Sequence, residues 1–294
     1  MAEMQQAFAA AHASIPKSVI RSSILSSWFW YRLQEGAGSS VAAVSNGAPP
    51  ALVPKGAITT EWGNAGYYTP IGSSDASVLY AQNTYFDTFF NFANLNGKQM
   101  LLGLDWYYDG GITPSSEHLL GYGANTTAGG WWVNINTSNQ LGISYKAVGS
   151  SSLGSGTFTG FNLSSDADAG SNTRISLLFD FRVRGVYPNA ALTCNLYSNG
   201  VSKTSVTNLD INQIANGGTA LPGGTTTQPF HLGGRKNSTG SNTYDQVVHS
   251  SASNGRLAMV FAMVKSTPDE LLPIAAAREF YNLRGKYPDA LRAA

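Results

Sequence analysis

Carboxylates are the first side chains of this sequence that could support chemistry. Glycoside hydrolysis needs two carboxyl groups about 5 to 10 Å apart, and on a strand such groups would recur at alternate positions. No acidic run of the E-x-D-x-x-E kind occurs, so a hydrolytic function would have to start from Asp105 and Glu117. The sequence predicts no catalytic carboxylate pair, and an enzyme is the weakest of its functional hypotheses.

Histidine, serine and cysteine patterns argue against other reactions. The histidines stand singly and form no H-x-x-x-H or H-x-H pair, which argues against a zinc site. No G-x-S-x-G sequence is present. The single cysteine, Cys194, falls inside a predicted strand, which favours a buried core residue over a reactive thiol.

One acidic pair could bind a metal ion. Asp166 and Asp168 stand two residues apart in SSDADAG, and calcium accepts carboxylate and carbonyl oxygens in flexible geometry. A solvated turn is the favoured interpretation of the same residues. The sequence predicts no other cofactor, and Asp166 and Asp168 are the candidate ligands for calcium.

Aromatic residues stand out above this background, in the runs WFWY, YFDTFFNF, DWYY and GGWW. Aromatic rings favour sugar and protein contacts because they offer a large amphipathic area at little cost in rotamer entropy. Alternation along strands assigns part of each run to the core, namely Trp28, Trp30, Phe89 and Trp131. The candidate ligand-binding rings are Trp106, Tyr107, Tyr108 and Trp132.

The elements that must position these residues are short strands. Apolar runs separated by Gly, Asn, Ser and Pro recur about every ten residues, a pattern typical of sandwiches and barrels. The predicted strands are Trp28 to Leu33, Ala51 to Val53, Ser77 to Tyr80, Thr84 to Phe92, Lys98 to Tyr107, His118 to Tyr122, Trp131 to Asn136, Leu141 to Ala147, Gly156 to Phe161, Arg174 to Arg184, Ala191 to Ser198, Val201 to Thr207, Gln228 to Gly233 and Arg256 to Val264.

The strongest local signals are one alternating strand and two turns. In ISLLFDFRVR, every second residue from Ile175 to Val183 is apolar, which predicts a strand with one buried face. Asn199-Gly200 predicts a type I′ hairpin turn, because both residues tolerate positive φ. Asn96-Gly97 predicts a second turn on the same grounds.

Both ends of the chain differ from the middle. Residues 1–26 are Ala-rich and predict an N-terminal arm with a short helix from Glu3 to His12, which either packs on the domain or docks elsewhere. Thr267-Pro268-Asp269-Glu270 combines an N-cap, a proline at the first helical position and a capping-box glutamate, and Gly285 is the predicted C-cap. The predicted organisation is an arm at 1–26, a sandwich at 27–266 and a C-terminal helix and tail at 267–294.

Composition and charge limit the possible partners. Only 12% of the 294 residues are charged and the net charge is +1, so no basic face for nucleic acid is expected. The N-terminal residues lack the uninterrupted apolar run of a secretory signal, and no stretch is apolar enough to cross a membrane. We therefore expect neither nucleic-acid nor membrane partners, and synthesis without export machinery.

Several segments, in order, resemble the concanavalin A-like and laminin-G-like jelly-roll modules. These are YRLQEGAGSSVAAVSNGAPPALVP, GGWWVNINTSNQLGISY, NLYSNG and the C-terminal segment from Gly255 to Gly285. The resemblance implies an all-β fold, a two-layer antiparallel β-sandwich, with the N-terminal arm and C-terminal helix added to it. Ala43 and Val44 replace the acidic residue usual before the Ser-Gly turn, so the common calcium site of such modules is not expected here.

Modules of this kind without signal peptide or disulfides resemble virion proteins of tailed phages. This resemblance implies a non-catalytic structural protein of a virion, made in the host cytoplasm, such as a capsid decoration, head-fibre or tail protein. Its expected partners are capsid or other virion proteins and copies of itself. The alternative hypothesis is a lectin-like carbohydrate-binding module or adhesin that binds cell-surface polysaccharide.

Overall fold

The computed structural model describes residues 26–33, 40–54, 78–108, 117–166, 173–224, 226–236, 244–245 and 256–286. The predicted N-terminal arm lies outside these ranges except for Ser26, and so does its predicted helix. The division of the chain into arm, sandwich and C-terminal segment therefore stays a prediction.

Two antiparallel sheets, each of seven strands, form most of the described chain. Sheet 1 has the spatial order β12 (Val201–Asp210), β11 (Ala191–Ser198), β10 (Thr173–Arg184), β5 (Gln99–Tyr108), β16 (Arg256–Lys265), β1 (Ser26–Arg32) and β2 (Ala43–Ser45). Sheet 2 has the order β3 (Val53–Pro54), β4 (Leu79–Gln82), β13 (Pro229–Leu232), β6 (Glu117–Gly123), β7 (Gly130–Ile135), β8 (Leu141–Lys146) and β9 (Gly154–Thr157). A two-stranded ribbon pairs β14 (Arg235–Lys236) with β15 (Tyr244–Asp245). The predicted two-layer antiparallel β-sandwich is confirmed.

Alternation of apolar residues explains which face of each strand is buried between the sheets. Leu177, Phe179 and Phe181 of β10 face Trp131 and Val133 of β7 in one continuous core. Since alternate side chains of a strand point to opposite faces, the intervening residues form the outer faces of the sandwich. The strand predicted from ISLLFDFRVR is confirmed at Thr173–Arg184.

Both predicted Asn-Gly turns are present. Asn199 has φ 49° and Gly200 φ 79°, so both central residues of the β11–β12 hairpin lie in the left-handed region as a type I′ turn requires. Gly97 has φ 70°, and Lys98 N donates to Leu95 O at 2.9 Å. The first turn joins β11 to β12, and the second leads from the segment Phe92–Leu95 into β5.

The predicted strand from Thr84 to Phe92 is wrong, because this segment forms helix α1 (Thr84–Phe90) and a 3₁₀ turn (Phe92–Leu95). Asn83 caps the helix by accepting a hydrogen bond from Tyr85 N at 2.8 Å. Phe86, Phe89 and Phe90 recur at helical spacing and are fully buried. The aromatic run suits either periodicity, and burial of three rings against the core decides for the helix.

The C-terminal helix is present but begins later than predicted. Helix α3 spans Leu272–Lys286, and Asp269 rather than Thr267 caps it, accepting hydrogen bonds from Leu271 N at 3.0 Å and Leu272 N at 3.3 Å. Glu270, the predicted capping-box residue, instead accepts a hydrogen bond from Arg182. A short helix, α2 (Leu163–Asp166), precedes β10.

Helix α3 packs on the outer face of sheet 1. Leu272, Ala276 and Phe280, spaced one turn apart, are buried against outward-facing residues of that sheet. The sheet residues that take part include Trp28, Trp30, Leu101, Leu178, Met259 and Met263. Trp28, Trp30, Phe89 and Trp131 are all buried, as predicted; the first two lie on the outer side of sheet 1 and the other two between the sheets.

The edges of both sheets are poor templates for adding a further strand. Edge strands β2, β3 and β9 have three, two and four residues. The long edge strand β12 has register shifts opposite Leu192/Cys194 and Leu196/Tyr197, and Asn208 has φ 54°. Bulges of this kind twist an edge away from regular pairing. No helix in the described part of the chain is long and apolar enough to span a membrane.

Candidate ligand-binding face

The outer face of sheet 2 presents a straight row of side chains across its strands. The register places Tyr80 of β4 beside His231, His231 beside Gly121, Gly121 beside Trp132, Trp132 beside Ser144 and Ser144 beside Ser155. Residues directly opposite each other on neighbouring strands share a face. This row joins a buried half to an exposed half.

The buried half centres on Gly121. His231 and Trp132 converge over this residue, so closely that a β-carbon at position 121 would contact the Trp132 ring and lie 2.9 Å from His231 Cε1. His231 Nε2 lies 3.2 Å from Gly123 O, and the His118 and Trp132 rings are 6.3 Å apart in an edge-to-face arrangement. Trp132 and His231 have no exposed surface. Glycine at position 121 is therefore needed for the two rings to meet.

The exposed half lies over β7, β8 and β9. Its outward side chains are half-buried or exposed and are, apart from Lys146, neutral and polar: Asn134, Ser144, Ser155 and Thr157. Ser144 Oγ donates to Asn134 Oδ1 at 3.1 Å, and the Asn134 amide lies beside Gly142, which has no side chain to raise the surface. We call these residues, with Gly142 and Lys146, the polar face.

The outer face of sheet 1 offers no comparable surface where helix α3 covers it. Leu101, Leu178 and Met263 of that face are at most 1% exposed. Helix α3 packs against them through apolar contacts, which exclude water from the sheet. The part of sheet 1 under helix α3 is thus mostly apolar and covered, whereas the outer face of sheet 2 is polar and accessible over β7–β9.

A buried carboxylate on sheet 1 is held by hydrogen bonds from neighbouring side chains, one of which also contacts the segment before helix α3. Asp180 is fully buried and accepts hydrogen bonds from Gln99 Nε2 at 2.9 Å, Arg182 Nη2 at 2.9 Å and Asn195 Nδ2 at 3.1 Å. Burial by itself would lower the pKa of Arg182, but its hydrogen bonds to Glu270 and Asp180 raise it, so the guanidinium keeps its charge. The hydrogen bond from Arg182 also lowers the pKa of Glu270.

Asp87 of helix α1 and Tyr122 of sheet 2 form a second polar contact. The Tyr122 hydroxyl donates to Asp87 Oδ1 and accepts from Gln228 N at 3.2 Å, and Thr227 Oγ1 donates to Asp87 Oδ2 at 3.0 Å. Burial, followed by the bond to Asp87, raises the pKa of the Tyr122 phenol. These hydrogen bonds fasten α1 to sheet 2.

The predicted ligand-binding rings do not lie on one sheet. Trp106, Tyr107 and Tyr108 end β5 in sheet 1, whereas Trp132 lies on β7 in sheet 2. The side chains of the first three lie outside the described part of the structure. Trp132 has no exposed surface, so it does not offer a stacking face to solvent in this structure. A ligand-binding role for these four residues stays a prediction.

The predicted metal and catalytic candidates are also separated. Asp166 is the last residue of helix α2, and Asp168 falls outside the described residues, so their calcium site stays a prediction. Asp105 is fully buried on β5 of sheet 1, and Glu117 begins β6 of sheet 2. Cys194 faces the core, and burial raises the pKa of its thiol well above the ordinary value. In the ranges that the structure describes, no three His, Cys, Asp or Glu side chains cluster as a metal site.

Comparison with known proteins identifies likenesses of fold. No family model matches the chain, and no curated protein matches it in sequence. Solved structures do match: the CBM40 domain of the Ruminococcus gnavus IT-sialidase bound to α2,6-sialyllactose has 10% identity and a TM-score of 0.43, over 71% of this chain and 93% of that one. The Trypanosoma rangeli sialidase has 10% identity and a TM-score of 0.47, over 86% of this chain and 32% of that one.

A third similar structure is that of botulinum neurotoxin type C, whose cell entry depends on interaction with two ganglioside molecules. It has 10% identity and a TM-score of 0.48, over 87% of this chain and 52% of that one. With TM-scores below 0.5 and 10% identity, these three structures assign no function to this chain. Its function is therefore inferred from its own residues.

The polar face cannot be recognised from the sequence. Its residues are common surface types, and only the register of β7, β8 and β9 brings Asn134, Ser144 and Thr157 to one side of one sheet. Alternation within GGWWVNINTSN places Trp132 and Asn134 on the side of β7 opposite to Trp131. The alternation that predicts β7 is visible in the sequence, but nothing in the sequence shows that β8 and β9 lie beside it.

Proposed function

We propose that this protein is a non-catalytic carbohydrate-binding module and that the glycan binds the polar face of sheet 2. The observation on which this rests is the contrast between the two outer faces. Helix α3 covers an apolar face of sheet 1, whereas Asn134, Ser144 and Thr157 leave neutral amide and hydroxyl groups accessible on sheet 2.

The chemistry of the polar face suits a ligand rich in hydroxyl groups. Amide and hydroxyl side chains both donate and accept hydrogen bonds, as sugar hydroxyls do. The Asn134 amide oxygen accepts a hydrogen bond from the Ser144 hydroxyl. The amide nitrogen of Asn134 can therefore donate to a sugar hydroxyl. Gly142 pairs with Asn134 on one side and with Thr157 on the other, and it adds no side chain between them.

The separation of the carboxylates supports a non-catalytic role. A glycosidase needs two carboxyl groups on either side of one bond, about 5 to 10 Å apart. Asp105 lies buried on sheet 1, and Glu117 lies on the other sheet. Asp180 is occupied by Gln99, Arg182 and Asn195.

Glycan-array screening of the full chain, followed by calorimetric titration of the hits, tests the proposal. The double variant Asn134→Ala/Ser144→Ala removes an amide and a hydroxyl, each worth about 0.5 to 1.5 kcal/mol as a hydrogen bond, so we expect roughly tenfold weaker binding. Ser205→Ala/Thr207→Ala, on the exposed face of β12, is the matched control and should bind as the wild type does. Absence of binding to every neutral and acidic glycan, or equal binding by the two double variants, would disprove the proposal.

A second candidate function is attachment to a virion as a decoration or fibre-type protein. One observation favours it: Leu271 and Ile274, three residues apart at the start of helix α3, are 75% and 39% exposed on the outside of the sandwich. Neighbouring exposed aliphatic side chains suit a protein contact. Immunogold electron microscopy of particles produced from the genome that encodes this chain tests it, and unlabelled particles would exclude it.

A further inference from the structure

Three loops at one end of the sandwich expose apolar side chains. They are residues 147–153 between β8 and β9, residues 185–190 between β10 and β11, and residues 211–220 after β12; we call them the loop end. Leu153 is 44% exposed, Val186 60% and Ile214 53%. These are three of the seven large exposed hydrophobic residues in the described ranges, and each belongs to a different loop of this end.

Hydrogen bonds join the three loops into one unit. Ser151 N donates to Asn216 O at 2.8 Å and Thr219 N to Val148 O at 2.7 Å, which fastens the first loop to the third. The second loop is joined to the third because the Tyr187 hydroxyl donates to Gly218 O at 2.8 Å. A surface that is already ordered loses little conformational entropy when it binds.

Backbone strain is concentrated next to Ile214. Gln213 has φ 49° and ψ 40°, a left-handed conformation that is uncommon for residues other than glycine and asparagine. Its side chain holds it there: Oε1 accepts from Ala147 N at 2.6 Å, and Nε2 donates to Ser152 O at 3.1 Å. The fold thus maintains a costly conformation that places an exposed isoleucine at the tip of a loop, and such strain is concentrated at functional positions.

The loop end contains no charged residue. None of residues 147–153, 185–190 and 211–220 is Asp, Glu, Lys, Arg or His. A charged partner would lose hydration here without gaining an ion pair, which argues against nucleic acid and anionic surfaces. A complementary partner is itself uncharged and partly apolar, as interface cores generally are.

We infer that the loop end is an interface with a second copy of this chain. The same end of another molecule meets both requirements, since its three loops are uncharged and carry the same three apolar side chains. A two-fold axis would then place identical surfaces together, with Ile214 near the centre. The short or bulged edge strands are poor templates for β-strand addition, so association through side chains such as those of the loop end is favoured.

The oligomeric state of the full chain in solution tests this inference. Sedimentation velocity over a wide concentration range should give a dimer that dissociates on dilution. Ile214→Lys should shift the midpoint of dissociation to at least tenfold higher concentration, because each dimer would bury two like charges at the interface. Val201→Lys is the matched control, since Val201 is 58% exposed at the opposite end of β12 and should leave the dimer unchanged.

Val186→Lys provides a second variant on a different loop, in case Ile214→Lys perturbs the fold. Circular dichroism and thermal unfolding identify the variants that are folded. A wild-type protein that is monomeric at every concentration, or lysine variants that dimerise as the wild type does, would overturn the inference.

Discussion

Phe280 of helix α3 lies directly against the backbone of Gly103 in the middle of sheet 1. A β-carbon at position 103 would lie 3.1 Å from two carbons of the phenyl ring, closer than ordinary van der Waals contact. Gly103 thus makes room for the helix on a face that is otherwise lined with Leu101, Leu178 and Phe261. Helix α3 can pack this closely on the sheet because residue 103 is glycine and has no side chain.

The first prediction concerns this contact. Gly103→Val should lower the free energy of unfolding by about 1 to 3 kcal/mol, as overpacked cores do, because the helix must move away from the sheet. Urea denaturation followed by tryptophan fluorescence measures the loss. Adding Phe280→Leu to the Gly103→Val variant should recover part of it, since the effects of residues in contact are not additive. Equal stability of Gly103→Val and wild type would show that the helix does not pack as closely as described.

The second prediction concerns the acid limb of stability. The hydrogen bond from Arg182 lowers the pKa of Glu270 below its ordinary 4.5, so the unfolded state binds more protons than the folded state between the two pKa values. The contribution of Glu270 is therefore present above pH 4.5 and is lost as the pH falls through the lowered pKa. Glu270→Gln should flatten the slope of unfolding free energy against pH below 4.5.

Asp269 contributes in the same direction, because its hydrogen bond with Lys265 lowers its pKa below the ordinary 3.8. Asp269→Asn therefore serves as a comparison. It should flatten the slope of unfolding free energy against pH, but at a lower pH than Glu270→Gln does. An unchanged acid slope in the Glu270→Gln variant would show that the contact with Arg182 does not persist in solution.

The third prediction concerns the alkaline limb. Burial, followed by the nearby Tyr85, raises the pKa of Tyr31 above its ordinary 10.0. Above pH 10 the folded state therefore holds a proton that the unfolded state has released, so stability falls as the pH rises. Tyr31→Phe should lose less stability between pH 9 and pH 11 than the wild type does. An identical alkaline slope in both proteins, measured by urea denaturation, would contradict the buried position of this phenol.

The fourth prediction concerns the buried half of the outer row on sheet 2. Gly121→Ala places a methyl group against Trp132, His231 and the Trp131 carbonyl, and should cost about 1 to 3 kcal/mol through overpacking. Gly142→Ala is the control on the same face, because its nearest neighbours would be 3.2 Å or more from the new carbon. The melting temperature of the Gly121→Ala variant should be well below that of the Gly142→Ala variant. The reverse order would contradict the arrangement of the Trp132 and His231 rings.

Local signals predicted much of the framework. Asn199-Gly200 forms a turn because both residues tolerate positive φ. The strand containing Phe179 and Phe181 is predicted by the alternation of apolar and other residues, which does not depend on the neighbouring strands. The helix at Thr84–Phe90 was missed because Phe86, Phe89 and Phe90 suit two periodicities. Burial of these three rings against Phe29 and Phe230 is a tertiary contact, which no local pattern contains.

The sequence by itself determined that the chain alternates short strands with turns, that its carboxylates do not form a catalytic run, and that a helix follows the last strand. Only the tertiary structure decided which sheet that helix covers, and hence which outer face stays open. It also decided that Trp132 is buried while Asn134, two residues later on the same side, is accessible. The physical reason is that exposure depends on which strands and helices lie nearby in space, and residues far apart in the chain supply them.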